Sequence, residues 1–191
     1  MLNHKGTQEI RTERLLLRKI RAEDYHDMHQ YMIKEEVAKY VTWNVHKSLA
    51  ETKQLCAFWV SQYADNNKYH WAIVFENKVI GNLEIVQLID TTAFIGWQID
   101  SDYWNMGIMT ESGTAVRNYM FSEIGIDKLN AAHIRQNVGS GRVMQKIGMK
   151  QISAEEYYEK IEEEKREIEV KGMPVDFYSI TKEEWQCLNA K

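Results

Sequence analysis

The most constraining feature of this 191-residue chain is a group of three strand-like segments in close order. They read "YHWAIVFE" (69–76), "KVIGNLEIVQL" (78–88) and "TAFIGWQID" (92–100). Short turns, at Asn77–Lys78 and at residues 89–91, separate each segment from the next. Because turns of this length connect neighbouring antiparallel strands, the pattern predicts an antiparallel meander.

Strands and helices alternate after the meander. A helical pattern covers residues 110–125 and stops at Gly125, and a strand-like segment (128–135) and a second helical segment (137–148) follow it. The residues of the first helix expected to face inward are Val116, Tyr119 and Met120. This order predicts a crossover onto the sheet, and hence an α/β fold with a mixed, mostly antiparallel central sheet flanked by helices.

Local signals also mark the two ends of the chain. Ser48, with Glu51 three positions later, predicts a capping box at the start of a helix, and "YVTWNVHK" before it is irregular. Near the other end, Lys171–Gly172 predicts a hairpin turn and "TKEEWQCL" a short terminal helix. No linker-like or repeated segment interrupts the sequence, so a single domain over residues 1–191 is expected.

Composition excludes several classes of protein. The formal net charge is −4, so the basic excess of a direct nucleic-acid binder is missing. No apolar run approaches the roughly 20 residues of a membrane span, and the first ten residues are polar. Cys56 and Cys187 lie far apart without a partner motif, which favours reduced thiols and a cytoplasmic location.

The segment "YWNMGIMTESG" lies between the last meander strand and the first crossover helix. The first amides of a helix have no intrahelical partner, and with the helix dipole they favour an anion. Gly107 would let a ligand approach the backbone closely. The loop lacks the lysine of a P-loop and the G-x-G-x-x-G spacing of a dinucleotide fold. From these residues alone, an anion site and a plain strand-to-helix turn both stay open.

Five segments in serial order resemble the Gcn5-related N-acetyltransferase (GNAT) superfamily. They are "TERLLLRKIRAED", "WAIVFENKVIGNLEI", "IGWQIDSDYWNMGIMTE", "NVGSGRVMQKIGMK" and "DFYSITKEEW". The resemblance extends from about Arg11 to Trp185 and is greatest for the branch that acetylates ribosomal-protein N-termini. It implies an acetyl-CoA-dependent N-acetyltransferase whose sheet splays between two strands to admit the cofactor.

The resemblance also implies which residues bind acetyl-CoA. The superfamily's pyrophosphate loop, Q/R-x-x-G-x-G/A, corresponds to residues 104–109, with Trp104 and Met109 as departures from the pattern. The pyrophosphate would lie on the amides of residues 106–110, and the pantetheine arm would pair with the backbone of residues 97–99. The implied cofactor-binding residues are Trp97, Gln98, Ile99, Met106, Gly107, Ile108, Met109, Thr110, Asn137, Ser140 and Arg142. Asn137 also suits a helix cap.

Amine acetylation needs a proton acceptor, because only a neutral amine attacks a thioester. Glu84 is the first candidate, and strand alternation places it on one face with Asn82 and Val86. His133 is the second, since histidine titrates near neutrality, although a structural role is favoured for it. Some superfamily members use a tyrosine acid where this chain has Met144. Ser140 matches a serine suggested as the donor in the ribosomal-protein branch.

The resemblance places the acceptor beside the irregular segment before Ser48, where Tyr40, Trp43 and His46 would shape its site or pack against helices. His26 and His29 are three apart on a helix, but no third ligand accompanies them, so no metal is predicted.

The leading acceptor is the N-terminal amine of a ribosomal-type protein. A polyamine or aminoglycoside, or a CoA-binding sensor without turnover, are the alternatives. The charged insertion from Ser153 to Lys165 would cover the acceptor site, form a homodimer contact, or do neither.

Overall fold

A computed structural model describes residues 1–161 and 169–190. The strands are β1 (Ile10–Arg11), β2 (Leu16–Arg18), β3 (Tyr69–Phe75), β4 (Lys78–Ile89), β5 (Thr92–Ile99), β6 (Lys128–Ile134), β7 (Lys150–Ile152), β8 (Glu169–Val170) and β9 (Met173–Thr181). The helices are α1 (Tyr25–Met32), α2 (Glu35–Ala38), α3 (Leu49–Gln62), α4 (Ile108–Tyr119), α5 (Val138–Lys146), α6 (Ala154–Tyr157) and α7 (Lys182–Asn189). None of these helices is long and apolar enough to cross a membrane.

The strands form one mixed sheet in the order β1-β2-β3-β4-β5-β6-β9-β7, and β8 pairs with β9 beside it. The predicted meander is confirmed, since β3, β4 and β5 pair antiparallel in sequence order. The crossover through α4 brings β6 parallel to β5, and the other pairings are antiparallel. The predicted fold class is therefore confirmed.

The sheet opens between its two parallel strands. β5 and β6 pair from Thr92 opposite Lys128 to Ile95 opposite Ala131. Beyond that point β5 continues to Ile99 and β6 to Ile134 without pairing with each other. A V-shaped gap with free backbone groups on both edges results, which is the splay that the family resemblance implied.

Helices cover both faces of the sheet. On one face Val116 of α4 and Met120, which directly follows α4, share a buried cluster with Trp71 and Leu83, and all four are fully buried. On the other face α1 and α3 bury Met28 and Trp59 against the alternate residues of β3. The predicted inward orientation of the first crossover helix is confirmed, and Gly125, at φ 83°, ends the helical segment as predicted. Each large side chain buried in these layers contributes roughly 1.5–3 kcal/mol.

Two local predictions need correction. The alternation predicted along β4 fails after Ile85, because the register shifts between Ile85 and Gln87 and leaves Val86 as the extra, 63% exposed residue of a bulge. At the start of α3, the Ser48 hydroxyl accepts from the amide of Glu51 as predicted. The Glu51 carboxylate, however, accepts from the amide of Lys47 instead of completing the box.

The C-terminal predictions are confirmed where the structure describes them. Lys171 and Gly172 form the turn between β8 and β9, and α7 is the terminal helix. The described part of the charged insertion contains α6. Its remainder, residues 162–165, and the first part of the alternating segment "REIEV" lie outside the described residues.

Candidate active site

A cleft of about 1370 Å³ runs from the gap between β5 and β6 to the segment before α3. It brings together almost every residue singled out from the sequence. The predicted residues that line it are Tyr40, Trp43, His46, Glu84, Trp97, Gln98, Ile99, Gly107, Ile108, Met109, Thr110, His133, Asn137, Ser140 and Arg142. Met106 does not line the cleft: its side chain is exposed, and its carbonyl accepts from Arg14 Nη1 at 3.0 Å.

α4 begins at this cleft without a capping side chain. Gly107 is its N-cap residue, with φ 76° and no side chain to accept from the first amides. Asn105, two residues earlier, also has positive φ, at 62°. The left-handed backbone turns the chain sharply from the end of β5 into α4. The first amides of α4 and the positive end of its dipole therefore meet the cleft wall, which suits a phosphate.

The start of α4 is held by contacts that the sequence analysis did not identify. The carboxylate of Glu111 accepts from the Thr12 hydroxyl at 2.5 Å, from the amide of Arg14 at 3.0 Å and from Arg14 Nε at 2.7 Å. Burial opposes ionisation of Glu111, but these donors outweigh it and lower the pKa of the carboxyl. The acid also lies in the first turn, where the helix dipole favours it. These contacts hold the first turn of α4, and with it the loop that precedes the helix, against the segment that carries Thr12 and Arg14.

A second anchor holds the end of β5. Asp100, which is almost fully buried, accepts from Lys34 Nζ at 2.5 Å, and Asp102 lies 2.7 Å from the same nitrogen. The Asp100 carboxylate also accepts from the amide of Asp102 and so closes the turn that follows β5. The corner between α1 and α2 is thereby tied to the strand edge that faces the gap.

α5 forms the opposite wall. The Asn137 side chain accepts from the amide of Ser140 at 3.2 Å, so Asn137 is a helix cap, as one of its two interpretations held. Arg142 is exposed on this helix, and Lys146, one turn later, also lines the cleft. Residues four apart share a helix face, and this spacing is the signal by which Lys146 could have been found. The two cations place positive charge near the start of α4.

Glu84 lies at mid-strand on the floor of the cleft. Its register partner on β5 is Gly96, so no cross-strand side chain covers the carboxyl. Burial raises the pKa of Glu84 to about 7. Its Oε2 lies 3.1 Å from Nδ1 of buried His70, whose own pKa burial lowers to about 4. A carboxyl that titrates near neutrality can accept a proton from an acceptor amine.

His133 has a different environment. Its Nδ1 lies 2.8 Å from the carbonyl oxygen of Ile134, and because a carbonyl can only accept, Nδ1 carries the proton. Nε2 is buried against Gly141, where an added Cβ would lie 2.7 Å away. No described residue is a hydrogen-bond partner of Nε2. The unprotonated nitrogen is therefore shielded from the cleft, which favours a structural role.

A polar network that the sequence analysis missed lies beside Glu84. Asn82 Oδ1 accepts from the Tyr31 hydroxyl at 3.2 Å and from Gln98 Nε2 at 2.5 Å. Asn82 and Gln98 are register partners on β4 and β5 and are both buried. The period-2 spacing of Asn82 and Glu84 was the available signal, but nothing in the sequence links either residue to Tyr31.

The three residues predicted to shape the acceptor site, Tyr40, Trp43 and His46, lie in the segment between α2 and α3, which forms one wall of the cleft. Trp43 packs its ring edge-on against His46, with centroids 5.6 Å apart. Burial lowers the pKa of His46, and its Nδ1 lies 2.8 Å from the Thr52 hydroxyl. His29 Nδ1 lies 2.8 Å from the same oxygen. Within the described ranges, no three His, Cys, Asp or Glu side chains cluster as metal ligands would.

Comparisons with known proteins agree with this architecture. Residues 14–150 match the family described as acetyltransferase (GNAT) domain, and the chain belongs to that family. The Bacillus subtilis (strain 168) protein described as uncharacterized N-acetyltransferase YnaD is 27% identical over 179 residues, which are 92% of this chain and 98% of the relative.

Two solved structures share the fold. An acetyltransferase (GNAT family) from Bacillus anthracis superimposes with a TM-score of 0.75 and 25% identity, over 92% of this chain and 99% of that chain. RimL, a ribosomal L7/L12 alpha-N-protein acetyltransferase solved with coenzyme A, gives 0.74 and 18% identity, over 91% of this chain and 98% of that chain. The predictions of an N-acetyltransferase and of acetyl-CoA as co-substrate are confirmed at the level of the family.

Proposed function

We propose that the cleft binds acetyl-CoA across the gap between β5 and β6 and delivers its acetyl group to the N-terminal amine of a protein of ribosomal type. The observation that carries the proposal is the divergence of β5 and β6 beyond Ile95 and Ala131, beside the uncapped start of α4. The free edge of residues 97–99 offers backbone partners for pantetheine amides. The first amides of α4 offer donors to the pyrophosphate.

The distribution of charge supports an anionic co-substrate and a cationic acceptor. Arg142 and Lys146 face the cleft from α5, near the start of α4. Glu84 lies on its floor. Glu51, at the start of α3, also lines the cleft beside residues 39–46, which we call the acceptor segment. A phosphate group is attracted to the first pair and an ammonium group to the second.

The chemical step uses Glu84 as the general base. Acetyl-CoA supplies the acetyl group as a thioester. Glu84 accepts the proton that the amine nitrogen loses as the new C–N bond forms, and backbone amides of residues 97–99 stabilise the oxyanion. The C–S bond then breaks, and Ser140 is the candidate donor of a proton to the departing thiolate. His133 stays the second candidate base, with less support because its Nε2 is shielded.

The choice of acceptor is supported by the shared fold with RimL, whose name gives a ribosomal protein as its substrate. Thiol release from acetyl-CoA should be measured with ribosomal-protein N-terminal peptides, with the same peptides blocked at the α-amine, and with polyamines and aminoglycosides. The proposal expects turnover on free peptides and none on blocked ones. Turnover on polyamines or aminoglycosides alone would replace the proposed acceptor by a small amine. CoA binding without turnover on any amine would favour the sensor alternative.

A further inference from the structure

Lys171, in the turn between β8 and β9, reaches across to the acceptor segment. Its Nζ donates to the carbonyl oxygen of Ala38 at 2.9 Å and to that of Trp43 at 2.7 Å. The residues joined in this way are 133 and 128 positions apart. Ala38 is the last residue of the short helix α2, and its carbonyl also accepts from the amide of Val41.

The hydrogen bond to Trp43 holds a segment whose backbone makes few other hydrogen bonds. The amide of Val41 donates to Ala38, and that of His46 donates to Met32. Among the described residues, the backbone of residues 42–45 makes no other hydrogen bond. The Trp43 ring, which lines the cleft, also packs against His46 and the buried cluster under α1 and α3, so Lys171 supplies the hydrogen bond that holds the Trp43 backbone.

The hairpin belongs to the wall that faces this segment. Val170 and Val175, on its two strands, line the cleft, as do Tyr157 and Tyr158 of the α6 region. The acceptor segment lines the same cleft with Tyr40 and His46. Lys171 thus joins the two walls between which an acceptor would lie.

The turn itself gives no reason for a lysine. Lys171 has φ 53° and Gly172 has φ 71°, so both central residues are left-handed. Two-residue hairpin turns with this backbone favour Asn-Gly, because asparagine tolerates positive φ better than lysine. A residue kept in an unfavourable backbone region points to a role for its side chain.

We propose that Lys171 is a positioning residue that clamps the acceptor segment to the hairpin and so sets the width of the acceptor site. The inference rests on the proposed function for its catalytic consequence, but the clamp itself does not depend on it. The hydrogen bonds described for the ammonium group go to two backbone carbonyls, and not to Glu84 or to the residues expected to bind acetyl-CoA. Its loss should therefore alter acceptor binding and leave acetyl-CoA binding unchanged.

Lys171→Asn separates the clamp from the turn, since it creates the favoured Asn-Gly turn and removes the ammonium group. The variant should keep or raise the melting temperature. It should raise the KM for the amine about fivefold, as expected for the loss of exposed charge-assisted hydrogen bonds. The KM for acetyl-CoA should not change. Lys171→Arg, which keeps donors and charge, should restore much of the affinity.

Lys5→Asn is the matched control, because Lys5 forms an exposed ion pair with Glu123 and neither residue lines the cleft. It should leave both KM values unchanged. An unchanged amine KM in Lys171→Asn, or an equal rise for acetyl-CoA, would overturn the proposal. Hydrogen–deuterium exchange of residues 39–46 tests the clamp without turnover: the segment should exchange faster in Lys171→Asn than in wild type, and equal exchange would refute the clamp even if no amine is acetylated.

Discussion

Glu84 combines an ordinary position with an unusual environment. An acidic residue on the outer face of a strand is commonly solvated, and the sequence could not distinguish that case from a functional one. The structure places it over Gly96, beside buried His70, with its pKa raised to about 7 by burial. A carboxyl perturbed in this way inside a cleft is a candidate for proton transfer.

Glu84→Gln should lower kcat by about 10² to 10³, because general-base catalysis contributes that order of rate. The dissociation constant for CoA should stay within about twofold of wild type, since the proposal assigns CoA binding to backbone groups of residues 97–99 and of α4 and not to the Glu84 side chain. Steady-state kinetics and calorimetry measure the two quantities. Glu123→Gln, at an exposed ion pair with Lys5 whose residues do not line the cleft, is the control. Unchanged kcat would remove Glu84 from the mechanism.

The pH dependence of wild-type kcat/KM should report the same carboxyl. Because the base acts only when ionised, kcat/KM should fall about tenfold per pH unit below the raised pKa of about 7. The acceptor amine titrates too, so the wild-type profile should be divided by that of Glu84→Gln. A ratio that does not change between pH 5 and pH 8 would assign the base elsewhere.

At the scale of elements, local patterns identified most strands and helices. Turn residues and apolar periodicity specified the meander, the stop at Gly125 and the Lys171–Gly172 hairpin, since each depends on neighbours in sequence. The bulge at Val86 could not be foreseen, because it depends on the register with β5. The contacts of Arg14 with Glu111 join residues 97 apart, and no spacing rule relates them.

The loop before α4 is the element to which our proposal assigns the pyrophosphate of CoA. Gly107→Val should raise the dissociation constant for CoA by at least about tenfold, because it places a β-branched residue at φ 76° and bulk beside the phosphate path. Gly125→Val is the matched control, since Gly125 has φ 83° at the far end of the same helical segment. It should lose similar stability and keep CoA affinity. Equal affinity in the two variants would count against the loop.

The whole molecule is a sheet that opens at one place and is closed around that place by long-range contacts. The splay between β5 and β6 followed from the family resemblance rather than from any local pattern. The ties that shape the cleft, from Lys34 to Asp100 and from Lys171 to Trp43, connect segments 66 and 128 residues apart. The general location of the site was therefore predictable, and its supporting contacts were not.

Ionisation of the buried Glu84 carboxyl should lower the stability of the folded protein. The folded-state pKa of Glu84 lies above its unfolded value, so the contribution of Glu84 to stability is most favourable below about pH 4 and is lost as pH rises to about 7. Between pH 5 and pH 8, the melting temperature of wild type should fall relative to that of Glu84→Gln. Thermal denaturation at both pH values measures this difference. If the melting temperatures of the two proteins change equally between pH 5 and pH 8, ionised Glu84 is well solvated in the folded protein.

The most direct test of the central claim is a crystal structure of the protein with CoA. The account predicts the pantetheine arm between β5 and β6, paired with the backbone of residues 97–99, and the pyrophosphate on the first amides of α4. The thiol should lie in the cleft near Glu84. CoA bound elsewhere, or a gap between β5 and β6 that stays empty at saturating CoA, would contradict the account.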